Sequence, residues 1–412
     1  MYIERFLERK IEKYLHRKEI IAIIGARQCG KTTLMEHVFK KLKNAKFISF
    51  EDRDILELFI KDINSFVDLY AKDLNYLFID EFQYAKDGGK QLKYIYDNYK
   101  IKIFISGSSS SELSIQSVKY LVGRIFILNL NPLSFGEYLN YKNKKIYEIQ
   151  IKDKILSPPI IKEINKYYKE FAIYGGYPAV VLSSDKEEKE EVLKNIFNTY
   201  FLKEIKEILQ LPEDFKLSKL IKILSLQIGG LTNYNELSTG SGFDYKELLK
   251  YLNVLKKTFI CFECLPFFKN KKKELVKTPK IYFLDNGFRN IVIKNFQPLE
   301  NRTDIGELNE NFIASELTKT GIDTKYWRTK AGAEVDFIIE KNGEIIPIEV
   351  KSNLTNSKIT RSYRNFLDEY KPEKGYVLSM NFFNQIKIGK YPIFFMPIFN
   401  IEKITKFDLN LF

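Results

Sequence analysis

An apolar, β-branched run at Ile20–Ile24 breaks into Gly25-Ala-Arg-Gln-Cys-Gly30-Lys-Thr32, and a helical pattern follows at once through Lys40. β-branched residues favour a pleated strand, and glycine admits backbone geometry that other residues resist. A strand, an inward-turned loop and a helix N-terminus together form a cradle for phosphate. In this spacing the expected nucleotide-binding residues are Gly25, Ala26, Arg27, Gln28, Cys29, Gly30, Lys31 and Thr32. Lys31 is placed to reach the β- and γ-phosphates, and the Thr32 hydroxyl to coordinate Mg²⁺. ATP and Mg²⁺ are therefore the expected cofactors.

A matching second half lies downstream, in Tyr76-Leu-Phe-Ile-Asp80-Glu81. An apolar strand delivers Asp80 at its C-terminal end, where open α/β sheets bind ligands. Asp80 is expected to hold Mg²⁺ through its water shell, and Glu81 to polarise the attacking water as general base. A third strand ends in Ile105-Ser106-Gly-Ser-Ser-Ser110. Hydroxyls there, Ser108 among them, either sense the γ-phosphate and position water or belong to a Ser-rich turn. Arg124 in Leu121-Val-Gly-Arg124 is a candidate for steadying transition-state charge on a neighbouring subunit's nucleotide, which would require a homo-oligomer. Its plainer reading is a surface salt bridge.

With 412 residues the chain exceeds one ordinary core, so several domains are expected. Residues 1–150 alternate strands (Ile20–Ile24, Lys46–Phe50, Tyr76–Asp80, Lys102–Ser106, Arg124–Leu130) with amphipathic helices, the pattern of a parallel α/β sheet. Residues 151–295 read as mostly helical, with a charged helix around Lys186–Lys206 and further segments at Phe215–Ile228, Tyr234–Ser238 and Tyr245–Lys257. Strand-like runs at Phe259–Phe267 and Pro279–Leu284 follow, joined by a lysine-rich tip. Three helices and a basic-tipped hairpin outline either a winged helix or a helical lid whose hairpin only packs. Residues 296–412 begin with a helix at Gly306–Thr320 and continue as strands around Asn342-Gly343, a strong hairpin signal.

The net charge of +13 suits a polyanionic partner such as DNA, or simply a lysine-rich solvated surface. Three cysteines build no disulfide framework. Cys261 and Cys264 are spaced C-x-x-C, but no second pair or nearby histidine completes a zinc site. With only His16 and His37 present, metal chemistry must rest on carboxylates. No apolar run approaches the roughly 18 residues of a membrane span, and the N-terminus lacks a signal-peptide pattern. A cytoplasmic protein without a membrane partner is expected.

The motifs in combination resemble the prokaryotic, often archaeal, AAA+-type ATPases. The resemblance rests on the P-loop, Ile-Asp80-Glu81, Ser-Gly-Ser-Ser, Gly-Arg124 and Asn131-Pro-Leu-Ser-Phe-Gly-Glu137. It extends to Tyr174-Gly-Gly-Tyr-Pro178 and Lys277-Thr-Pro-Lys-Ile-Tyr-Phe-Leu-Asp285. It implies ATP hydrolysis. One departure is that no arginine occurs between Ile125 and Phe288, where such proteins commonly carry a sensing arginine in the helical lid.

The C-terminal region resembles the core of the PD-(D/E)xK nucleases, with a helix glutamate (Glu310), Asp336 on one strand and Glu349-Val-Lys351 on the next. With Asn342 and Gly343 as the central turn residues, Lys341 faces Glu344 and Asp336 faces Glu349. Opposed carboxylates repel, and a second divalent metal between them would relieve that and create a hydrolytic site. Lys351 would share that face and steady developing charge. Pro347 points to an edge or a bulge, and a one-residue slip would separate the pair. A solvated charged hairpin, with Lys351 paired to Glu334, is the alternative.

The expected architecture is a parallel-sheet P-loop domain, a helical or winged-helix-like region and a restriction-endonuclease-like α/β domain. The leading function is a Mg²⁺-dependent ATPase that couples hydrolysis to a DNA-associated C-terminal module. The alternatives are an ATP-regulated, metal-dependent deoxyribonuclease and a non-enzymatic nucleotide switch that binds a protein partner.

Overall fold

The computed structural model describes residues 2–108, 118–153, 155–199, 205, 215–341 and 343–405. The chain divides into two compact units, Met1–Pro132 with Asn253–Phe259 and Leu133–Leu252 with Ile260–Phe412.

The first unit carries strands β1 (Ile20–Gly25), β2 (Ala45–Ser49), β3 (Tyr76–Asp80), β4 (Lys102–Ser108) and β5 (Ile125–Asn129). All pair in parallel, in the order β2-β3-β4-β1-β5. β1 is buried along its whole length, as expected where helices cover both faces of a parallel sheet. On one face Ile20, Ala22 and Ile24 join Leu77, Ile79, Ile103 and Ile105 in a core closed by Phe50, Phe59 and Phe66. Side chains alternate across a strand, so Phe78 and Phe104 lie on the other face, stacked with centroids 4.3 Å apart. Because β4 sits between β3 and β1, the C-terminal ends of these three strands come together.

The second unit contains the helices Phe135–Lys142, Pro158–Tyr174, Lys186–Ile196, Phe215–Leu226, Tyr234–Ser241 and Ile305–Lys319, among others. The charged helix expected at Lys186–Lys206 is α-helical to Ile196, and much of its remainder lies outside the described residues. An eight-stranded mixed sheet has the order β12-β13-β11-β10-β9-β8-β6-β7. Its strands are β6 (Cys261–Pro266), β7 (Lys280–Phe283), β8 (Thr324–Arg328), β9 (Glu334–Lys341), β10 (Glu344–Val350), β11 (Gly375–Ser379), β12 (Asn384–Ile388) and β13 (Tyr391–Pro397).

The hairpin expected after residue 258 is present as β6–β7, but it does not stand free. β6 also pairs in parallel with β8, so stretches 151–295 and 296–412 share one sheet. Its lysine-rich tip forms the helix Lys271–Val276, and Lys271 is ion-paired to Glu274 at 3.2 Å. The β9–β10 hairpin pairs Lys341 with Glu344 and runs to Phe337 opposite Ile348. Asn342 lies outside the described residues, while Gly343 takes the left-handed conformation at φ 84°. Pro347 marks neither a bulge nor a sheet edge. It sits within the β9 ladder, and β10 pairs with β11 only from Ile348 onward, so the residue without an N–H precedes the second ladder.

Two of the sequence motifs meet in this unit. Gly175 adopts φ 75°, and the Gly176 N–H donates to the Asp285 carboxylate at 2.7 Å. That carboxylate also caps the helix Asn286–Ile293 through the Phe288 N–H at 2.9 Å. Tyr174-Gly-Gly and Leu284-Asp285 are thus the two sides of one buried joint.

Candidate active site

The loop after β1 turns through Gln28 at φ 60° and Gly30 at φ 87°, both left-handed. Helix Lys31–Lys40 then begins with Gly30 at its N-cap, a residue with no side chain to cap it. Such an N-terminus favours an anion. Gly25 is required by space, because a Cβ there would overlap the Leu130 carbonyl.

Lys31 is buried, and its ammonium donates to the carbonyls of Gly25 at 3.1 Å and Ala26 at 3.0 Å. Burial lowers its pKa, against the opposing pull of Cys29, Glu81 and Asp80. Cys29 is fully buried in the loop.

The Thr32 hydroxyl donates to Asp80 Oδ2 at 2.7 Å. Asp80 is itself buried at the end of β3, and its other oxygen accepts from the Ser106 hydroxyl on β4. Ser106 Oγ in turn accepts from the Glu81 N–H at 3.2 Å. One hydroxyl therefore ties the two acidic residues to the neighbouring strand. Glu81 is held at φ 54°, a left-handed conformation that costs a non-glycine residue about 1–2 kcal/mol. Its carboxylate accepts from the Gln83 amide. The paired hard-oxygen donors Thr32 and Asp80 suit Mg²⁺, and the loop with its helix N-terminus suits the phosphates.

Ser108 continues β4 opposite Gly25. Its side chain, and the whole of Ser109 and Ser110, lie outside the described residues. Arg124 donates to Asp97 at 3.0 Å in a partly exposed ion pair. Sequence reasoning missed Arg5. Its buried guanidinium donates to the Cys29 carbonyl at 2.9 Å and the Asn131 carbonyl at 2.6 Å, bracing the loop against the segment after β5. No motif signals it, since its partners lie 24 and 126 residues away.

In the second unit Glu310, Asp336, Glu349 and Lys351 fall in one electrostatic neighbourhood. They are joined there by Lys280 and Tyr282 of β7. The Lys280 ammonium donates to Glu310 at 3.1 Å and Glu334 at 2.6 Å. The Tyr282 hydroxyl also donates to Glu310. Arg328 holds the other oxygen of Glu334 at 2.7 Å. The expected Asp336–Glu349 opposition falls one pair beyond the ladder, where the Val350 N–H donates to Asp336 at 2.7 Å. Glu349 is ion-paired with Lys351 at 2.7 Å and accepts from Thr360 at 3.2 Å. Burial pushes the carboxyls of Glu310, Asp336 and Glu349 up, against the pull of the lysines. It also works to lower Lys280, but Glu310, Glu334 and Asp336 outweigh it and the ammonium is held charged. The alternative pairing of Lys351 with Glu334 does not occur, because Lys280 and Arg328 take that carboxylate. Among the described residues, no three His, Cys, Asp or Glu side chains converge as a metal cradle.

Comparison with known proteins places a family model described as an AAA domain on residues 17–139. Two models of domains of unknown function match residues 165–299 and 305–398. An uncharacterized protein of Haemophilus influenzae is 26% identical over 372 residues, covering 85% of this chain and 87% of that protein. Another, of Methanocaldococcus jannaschii, is 28% identical over 382 residues, covering 86% and 80%. Among solved structures, the ORC1 protein of Aeropyrum pernix in complex with DNA is 12% identical, covering 76% of this chain and 94% of that one. Its TM-score of 0.32 is too low to bear on function. The N-terminal unit has the parallel-sheet α/β fold of the P-loop NTPases, followed by helices and a mixed C-terminal sheet. No helix among the described residues is long and apolar enough to cross a membrane.

Proposed function

We propose that this protein binds ATP with Mg²⁺ on the loop Gly25–Thr32, hydrolyses it, and couples the hydrolysis to a DNA-associated C-terminal unit. The observation that carries the first part is the Thr32–Asp80 hydrogen bond at 2.7 Å, with Ser106 joining Asp80 to Glu81. A bare phosphate-binding loop would need no such arrangement.

Thr32 and Asp80 would hold Mg²⁺, which when bound neutralises charge on the phosphates. Lys31 leaves its carbonyl partners to meet the β- and γ-phosphates. Glu81 accepts the proton of the attacking water, its position fixed by the Ser106 contact to its backbone and by Gln83. Arg124 can serve a neighbouring subunit's nucleotide only by releasing Asp97, so the free chain hydrolyses slowly and an assembled one faster. What supports the DNA-associated role is the net charge of +13.

The test is ATP turnover with Mg²⁺, measured for the unmodified chain, Lys31→Ala and Glu81→Gln, with and without DNA at low salt. Lys31→Ala should abolish turnover. Glu81→Gln should lower it roughly 10²–10⁴-fold while ATP still binds. A Lys31→Ala protein that turns over ATP at the unmodified rate refutes the ATPase reading. Turnover that DNA leaves unchanged, together with no detectable DNA affinity at low salt, refutes the coupling alone.

A further inference from the structure

We infer that Lys280 is the resident cation of the C-terminal acidic cluster: its ammonium fills the place a divalent metal would need, and the cluster is an ion-paired joint that takes no metal. The inference is independent of the P-loop chemistry.

Lysine is almost never fully buried unless paired. The Lys280 side chain is only 2% exposed, and its ammonium bridges Glu310 at 3.1 Å and Glu334 at 2.6 Å. It therefore links β7, the helix Ile305–Lys319 and β9. The remaining carboxylates are also committed. Asp336 uses an oxygen on the Val350 N–H, and Glu349 uses its two on Lys351 and Thr360. A hard divalent cation seeks about six oxygen ligands and needs several carboxylate lone pairs free to turn towards it. Here each carboxylate is turned towards a donor of the chain itself.

The charges point the same way. Four carboxylates face Lys280, Lys351 and Arg328, so even with every carboxylate ionised the three resident cations leave a single negative charge. A dication added beside a buried ammonium would meet like-charge repulsion in a poorly screened interior. Lys280 cannot swing away at little cost, because it lies in the β6–β7 ladder, paired with Cys264, and that hairpin is fastened to β8. Glu310, the helix member of the nuclease-like set, is thus fastened to Glu334 of β9 by a lysine contributed from outside that set.

The experiment titrates the nucleotide-free full chain with Mn²⁺, following free Mn²⁺ by electron paramagnetic resonance, beside Asp336→Asn and Lys280→Met. Weak Mn²⁺ uptake near Thr32 and Asp80 is common to all three and cancels. We expect the unmodified chain and Asp336→Asn to give the same isotherm. Lys280→Met should melt ~5 °C or more lower in metal-free buffer. It should also gain Mn²⁺ uptake that a second Asp336→Asn change removes. Uptake by the unmodified chain that Asp336→Asn abolishes would overturn the inference. So would a Lys280→Met protein that neither loses stability nor gains uptake. If Lys280→Met does not fold, the first comparison decides by itself.

Discussion

The Thr32 hydroxyl and the Asp80 carboxylate lie 2.7 Å apart, although 48 residues separate them in the chain. Removing the charge at Asp80 tests whether this contact marks an ion site. Asp80→Asn keeps a hydrogen-bond acceptor but loses the carboxylate, so Mg²⁺ should bind about 10–100-fold more weakly. The midpoint of ATP turnover against Mg²⁺ concentration measures this. An unmoved midpoint counts against Asp80 as a metal-holding group.

Arg5 joins two backbone carbonyls, one in the phosphate loop and one after β5. Arg5→Ala removes the guanidinium donor from both carbonyls, at a cost of roughly 1–3 kcal/mol, and should weaken nucleotide binding. Arg5→Lys should recover little, because a single ammonium lacks the planar fork that reaches both carbonyls. Thermal melts and nucleotide titrations of both variants give the answer, and full recovery by lysine would exclude the bracing role.

Gly175 combines φ 75° with direct packing on the Asp285 carboxylate, which a Cβ would overlap. Gly175→Ala therefore carries both a left-handed backbone penalty and overpacking, together on the order of 2–5 kcal/mol. Urea unfolding should show that loss. Gly343→Ala provides the contrast, since its φ is 84° but no atom lies within 4 Å of its Cβ position. It should lose only about 1–2 kcal/mol.

Asp304 accepts from Arg302 Nε at 2.8 Å and from Arg289, whose side chain is 2% exposed. Burial alone would raise its pKa, but the hydrogen bonds and charges of the two guanidiniums outweigh burial and hold it below the ordinary value of 3.8. The unfolded chain therefore binds the proton more readily, and the stability from this carboxylate is complete above pH 3.8 and fades as pH falls through the lower folded value. Asp304→Asn should cost about 3 kcal/mol at neutral pH, because two buried cations lose their counter-charge. The difference between the two proteins should shrink below about pH 4. Paired urea melts at neutral and acid pH would detect it, and a pH-independent difference would contradict the assignment.

The five strands of the first unit were legible because each is a short β-branched or aromatic run bounded by turn residues. The β9–β10 register was legible for a similar reason, since Asn342-Gly343 demands a tight turn and a turn sets the pairing by counting outward. The site was less so. The run Ser106-Gly-Ser-Ser-Ser110 offers several hydroxyls, Ser108 among them, and nothing in it marks Ser106 as the one that meets Asp80 and Glu81. The stagger of β4 against β3, with Ile105 opposite Ile79, is what brings Ser106 level with Asp80.

By itself the sequence determined what short-range forces govern: the turn of the phosphate loop, the strand that ends in Asp80, the helix around Glu310 and the turn at Gly343. Those depend on backbone preference and side-chain period over a few residues. Tertiary structure alone decided that β4 lies between β3 and β1, that Arg5 reaches Cys29 and Asn131, and that Lys280 bridges Glu310 and Glu334. A lysine or arginine carries the same charge wherever it stands in a chain. Which buried partner it finds is set by how whole elements pack, and desolvation then makes that one pairing costly to break.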